Sequence, residues 1–197
     1  MMSAVIPFQR YQRRCQAPPL VFVEMYREHL DGGAAGAAAA VANCRFLIER
    51  ARSEGWPVAF VTPDQRWHDR RRSDRHWIDG FRPQRSDMIF EPKAASCYSS
   101  AEFAETMDEF GMRFVLAGFL GESVCLATLI DAAAYGHRAG FIEDATACRP
   151  FAGQGAAESH RAVVATANRY AAVVTAARWL RIAGSQQSEL ELCHDIQ

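Results

Sequence analysis

Five short apolar runs, separated by stretches of helical periodicity, constrain this chain more than any other feature. They are Leu20–Val23, Val58–Val61, residues 113–117, residues 140–142 and Ala172–Val174. Their apolar residues are nearly continuous, which marks strands buried on both faces. Between them, Val41, Cys44, Ile48 and Ala51 recur at helical spacing, and Gly55 stops that helix before Trp56 and Pro57. Further helical stretches run from 123 to 135 (ending at Gly136), from 155 to 170, and onward from Thr175. Strands alternating with helices predict an α/β fold: a three-layer αβα sandwich around a doubly wound, mainly parallel sheet of about six strands. A chain of 197 residues suits one domain of this kind, here 19–184. Residues 1–18 read as a loose N-terminal arm. The polar tail 185–197 is expected to be partly disordered.

The composition narrows the function. A formal net charge of -1 argues against a general nucleic-acid binder. No apolar run approaches the ~20 residues that span a membrane, and the run after Arg10, Arg13 and Arg14 is too short for a signal-peptide core. The six cysteines form no CxxC pair, which excludes zinc-ribbon and thioredoxin patterns. Reduced thiols and a cytoplasmic location are expected. Of the 22 basic residues, 21 are Arg and one, Lys93, is Lys. GC-rich coding accounts for such a bias, and it makes the position that stayed Lys worth attention. Lysine can lose its proton where its site favours that, and Arg in practice does not.

Parallel sheets bind ligands at the carboxyl ends of their strands. The residues there are Glu24, residues 63–64, residues 118–125 and Asp144. Cys125 follows a strand and a Gly118-Phe119-Leu120-Gly121 turn, where the next helix begins. A thiol at a helix N-terminus has a lowered pKa, and the backbone N–H groups there can hold an oxyanion. The competing reading is a buried structural cysteine, the commoner fate of a lone one. Lys93 is either a surface lysine or a group that supports a thiolate or shuttles a proton. Glu24 ends an apolar run, so it is either a structural acid with a partner or the acceptor of a thiol proton. From 64 to 92 the pattern breaks into seven arginines with Trp67, His68, His76 and Trp77 among them. That segment is a solvated loop, or a lid whose Arg or Trp holds an anionic or planar substrate.

These residues together resemble the isochorismatase-like cysteine hydrolases, which include N-carbamoylsarcosine amidases and nicotinamidases. The likeness runs from about Leu20 to Leu180. It is strongest in Val115-Leu116-Ala117-Gly118, Cys125, Thr128, Asp131-Ala132 and Gly136, with Gly55-Trp56-Pro57-Val58, Lys93 and Ser96, Asp144-Ala145-Thr146-Ala147 and His160 in support. The family works through an Asp, a Lys and a Cys. The resemblance implies Cys125 as nucleophile and Lys93 as the lysine. It also implies a cis peptide between Leu120 and Gly121, and an oxyanion hole from the N–H groups of Gly121 and Cys125. Where the family has Asp, any residue, Gln, this chain has Glu24-Met25-Tyr26, with His29 or Leu30 in place of a Phe. Glu24 keeps the carboxylate one methylene further out. Tyr26, Leu120, Trp67 and Arg82 are the candidate substrate contacts.

The nicotinamidase Asp-x-His pair is missing, since Asp64 is followed by Gln65 and Arg66, so no metal or other cofactor is expected. The leading reading is a metal-independent cysteine hydrolase that cleaves a C–N bond of a small amide or ureide through a thioester at Cys125. The alternatives are a weak or inactive member that binds a metabolite or protein through the same pocket, and a vinyl-ether hydrolase of the isochorismate type. A homodimer or homotetramer is expected, with residues 32–42 and the C-terminal helix as candidate surfaces.

Overall fold

The structure, a computed structural model, describes residues 17–31, 36–62 and 76–194. Six parallel strands form one sheet in the order β3-β2-β1-β4-β5-β6. They are β1 (Leu20–Val23), β2 (Val58–Val61), β3 (Met88–Phe90), β4 (Arg113–Phe119), β5 (Arg138–Ala147) and β6 (Ala172–Val174). The helices are a single turn α1 (Glu28–Asp31), then α2 (Ala37–Ser53), α3 (Ala101–Glu109), α4 (Leu126–Ala134), α5 (Ala156–Ala167) and α6 (Ala176–His194). A 3₁₀ turn at Cys97–Ser99 precedes α3, and a π-turn at Gly121–Cys125 precedes α4.

The sheet separates two apolar layers, and the continuous runs of the sequence serve both. Leu20 and Phe22 of β1 join the layer under α2 and α6, while Val21 and Val23 join the layer under α3, α4 and α5. Trp56 and Trp179 meet edge to face at 5.4 Å within the first layer. The three-layer, doubly wound architecture agrees with the expectation from the alternating pattern. The predicted 113–117 and 140–142 runs lie within longer strands. β3 was not foreseen. It lies inside the segment where the apolar pattern breaks, as a three-residue edge strand with Ile89 exposed. α3 was not foreseen either, because it buries only Phe103 and Met107.

Ala37, Ala40 and Val41 of the candidate assembly segment pack in the domain's own core. Residues 1–16 of the arm, residues 32–35 and the segment carrying Asp64, Trp67 and His68 lie outside the described residues, while Ala17 of the arm packs in the first layer. The backbone of α6 continues to His194, into the stretch expected as a loose tail. Among the described residues, no helix is long and apolar enough to cross a membrane.

The chain order reverses between β1 and β4. β1 is followed in sequence by strands that extend the sheet to one side, and β4 then starts the other side next to β1. At such a switch point the two crossovers leave in opposite directions and open a crevice at the strands' carboxyl ends. Glu24 and the turn before Cys125 stand at the two lips of this crevice.

Candidate active site

Val23, the last residue of β1, pairs with Gly118 of β4. Gly118 adopts φ 120°, and a Cβ there would lie 2.2 Å from the Val23 carbonyl oxygen. Glycine is therefore required by both conformation and space. At the same point the β4–β5 register jumps, so that Leu116 faces Phe141 while Gly118 faces Thr146. Within this irregular part of β5, the Asp144 carboxylate caps α6 through the Ala176 N–H at 2.7 Å, while its carbonyl accepts from Asn43 at 2.7 Å. Asp144 is thus a structural acid.

Both lips carry strained backbone. Glu24 has φ 52° and Leu120 has φ 61°, in the left-handed region that non-glycine residues seldom visit. Non-glycine residues held there cost of order ~1–3 kcal/mol and concentrate at functional sites. The Leu120–Gly121 peptide is trans, which corrects the expected cis bond. The sharp change of direction comes instead from the left-handed Leu120, whose carbonyl accepts from the N–H groups of both Ser123 and Cys125, at 3.0 and 3.3 Å. Of the two expected oxyanion donors, the Cys125 N–H is therefore engaged inside the π-turn. Gly121 opens the turn, where N–H groups have no acceptor within the helix. A Cβ on Gly121 would lie 2.7 Å from the Cys148 Sγ, so this position too must be small.

Cys125 is fully buried and donates from Sγ to the Phe119 carbonyl at 3.6 Å. Burial pushes its thiol well above the ordinary range, and Cys97, Cys148, Glu122 and Cys44 push in the same direction. The expectation of a thiolate at a helix start is overturned for the resting protein. Cys125 ends the π-turn, caps α4 and sits in the apolar layer under α3, α4 and α5. Cys44, Cys97, Cys125 and Cys148 are all free thiols.

Glu24 is held at the other lip. Its carboxylate is 2% exposed and lies 3.0 Å from the Nε2 of His29, itself 4% exposed. The His29 ring stacks on Phe119, with centroids 5.5 Å apart and planes 22° apart. Tyr26 is buried and packs at 4.7 Å against Trp77, the two residues forming an antiparallel bridge. Trp77 thus occupies the aromatic position beside Tyr26, while Trp67 lies outside the described residues. Leu120 is buried within the turn and Arg82 is exposed.

Lys93 follows β3, two strands away from β1. It lies exposed in a cleft of about 660 Å³ with Glu91, Ser99, Ser100 and Glu102. Its charge helps hold the Glu102 carboxylate below the usual range, after the stronger hydrogen bond from Ser100. Among the described residues it makes no hydrogen bond or ion pair with Glu24 or Cys125, so its assignment as the supporting lysine rests on the sequence pattern. Its segment is nevertheless tied to α4, the helix that follows Cys125, and to the turn after it. The Cys97 N–H donates to Thr128 Oγ1 at 3.0 Å, and the Tyr98 hydroxyl meets His137 Nδ1 at 2.7 Å.

Two partners of the site were not singled out as such in the sequence. His29 stands five residues after Glu24, a spacing with no standard meaning. Glu122, inside the π-turn, accepts from the Arg149 N–H at 3.2 Å, and the Cys148 Sγ lies 3.7 Å from His160 Nδ1. Burial, then Glu122, pushes the Cys148 thiol up to about 12. Among the described residues, no three His, Cys, Asp or Glu side chains are grouped to hold a metal ion.

The family model of the isochorismatase domain matches residues 19–178. The chain belongs to the isochorismatase family. Solved structures share its fold. An isochorismatase from Pseudomonas putida KT2440 is 25% identical with a TM-score of 0.72, covering 83% of this chain and 90% of that one. N-carbamoylsarcosine amidase from Thermoplasma acidophilum is also 25% identical, with a TM-score of 0.64 and coverage of 81% and 96%. A cysteine hydrolase from Pseudomonas syringae pv. phaseolicola 1448A shares the fold at a TM-score of 0.75 and 18% identity, covering 86% and 93%. No curated protein matches the sequence. Within this isochorismatase-family fold, Glu24, the Gly118–Cys125 turn and Thr128 all fall at the crevice or on the helix that leaves it.

Proposed function

We propose that this isochorismatase-family hydrolase is a metal-independent cysteine hydrolase that cleaves a C–N bond of a small amide or ureide. The observation that carries the reading is the pair of strained lips, Glu24 and Leu120, each just past the end of one of two adjacent central strands at the switch point. Glu24 takes the proton of the Cys125 thiol, and the thiolate attacks the carbonyl carbon. The Gly121 N–H faces the oxyanion that forms. Collapse of the tetrahedral intermediate expels the amine, which leaves with the proton from Glu24. Water, deprotonated by the same carboxylate, then hydrolyses the thioester. Lys93 supports the charged forms, and Tyr26, Leu120, Trp67 and Arg82 contact the substrate. A base is required because the resting thiol is held protonated by its burial.

The test is a panel of small amides and ureides, including N-carbamoylsarcosine and nicotinamide, with isochorismate beside them. Cys125→Ser is expected to abolish turnover and thiol labelling together. Turnover that survives the substitution rejects the mechanism. Cleavage of isochorismate alone selects the vinyl-ether reading. The complete burial of Cys125 and the exposed position of Lys93 favour, as a second reading, a member that binds rather than cleaves. Iodoacetamide separates the two: a Cys125 no faster near neutral pH than the buried Cys44 supports the binding reading. The protomers are taken to assemble as a dimer or tetramer.

A further inference from the structure

We propose that His29 is the positioning residue of the Glu24 carboxylate, holding it where it can receive the Cys125 proton. The inference rests on Glu24 being the proton acceptor proposed above. A glutamate has one more rotatable bond than an aspartate, so its carboxylate needs a clamp to sit at one point. The backbone of Glu24 is already fixed. Its N–H donates to the Val61 carbonyl at 3.2 Å, and its carbonyl accepts from Tyr26 at 2.7 Å. Only the side chain is left to place, and His29 Nε2 meets Oε2 at 3.0 Å inside the protein. The imidazole is itself set on two sides. Its backbone N–H donates to Tyr26 at 3.1 Å, and its ring lies on Phe119. The carbonyl of that same Phe119 accepts from the Cys125 thiol. Acid and nucleophile are thus referred to one residue of β4, by its ring and by its backbone. A buried carboxylate is costly unless hydrogen bonds such as this one compensate it.

The full-length protein and three variants decide it. Glu24→Gln removes the base. His29→Phe keeps a ring on Phe119 and removes the donor. His29→Gln removes the ring and keeps a donor at the reach of Nε2. Each is treated with iodoacetamide near neutral pH, modification of Cys125 is followed by peptide mass spectrometry, and thermal unfolding is recorded in parallel. Glu24→Gln and His29→Phe are expected to slow modification about tenfold or more. His29→Gln is expected to stay within about threefold of the unaltered protein, as a retained hydrogen bond to a charged group would allow. His29→Phe at the unaltered rate, with Glu24→Gln slow, overturns the role of His29 alone. Glu24→Gln at the unaltered rate overturns the reading of Glu24 as base and the inference with it. His29→Gln as slow as His29→Phe shows that the ring matters rather than the donor, which also overturns it. Where His29→Phe fails to fold, His29→Gln decides by the same threefold and tenfold limits.

Discussion

At the scale of single residues, the crevice depends on groups that leave no room for exchange. Gly118 combines φ 120° with a backbone oxygen 2.2 Å from where a Cβ would be. Gly118→Ala is expected to cost about 3 kcal/mol or more, as positive-φ strain and overpacking act together. Gly36→Ala, at φ 81° with nothing within 4 Å, is expected to cost about 1–2 kcal/mol from the backbone alone. Equilibrium urea unfolding of the two variants measures the difference. Similar losses at both would mean that the β1 backbone yields easily. The sequence exposed Gly118 through its place before Cys125, and it exposed Glu24 as an acid ending an apolar run. It did not expose the protonated resting state of Cys125. That state follows from burial among Cys97, Cys148 and Glu122, which come together only through the sheet and the π-turn.

At the scale of elements, strands with four consecutive buried residues were readable to the residue, as β1 and β2 show. β3 was not, because a three-residue edge strand with an exposed Ile89 carries too little apolar pattern to distinguish it from a loop. The π-turn was unreadable for a different reason: no sequence pattern separates it from an ordinary helix start, and the bonds from the Cys125 N–H to the Leu120 carbonyl and from the Leu126 N–H to the Gly121 carbonyl reveal the wider turn. Thr128 shows how two elements are joined. Its Oγ1 accepts from the Cys97 N–H at 3.0 Å and donates to the Val124 carbonyl at 2.8 Å. Thr128→Val keeps the shape and leaves a buried N–H unpaired, at an expected cost of about 1–3 kcal/mol. Hydrogen exchange should quicken in the 93–100 segment before it does in β1. Unchanged exchange there would show that the Tyr98–His137 contact holds the segment without Thr128.

For the whole molecule, the buried thiols make stability depend on alkali. Burial, the largest cause, raises Cys97 and Cys148 from 9.0 to about 12 in the folded protein. A folded-state pKa above the unfolded one gives stability that is complete below the unfolded value. It is lost as pH rises towards the folded value, because the unfolded chain releases protons that the fold retains. The urea midpoint is therefore expected to fall from about pH 9 towards pH 12. Cys97→Ala should fall less steeply over that window, and an equal slope would assign the loss to other groups. The placement of the acid has a consequence of another kind. Glu24 is the first residue past the last paired position of β1, whereas Gly118 is paired with that position. A lineage can exchange the acid at 24 by altering a side chain and finding it a new neighbour, leaving every strand pairing as it was. The glycine opposite has no comparable freedom. A side-chain change at 24 is absorbed locally, whereas one at 118 has to move the β1 backbone.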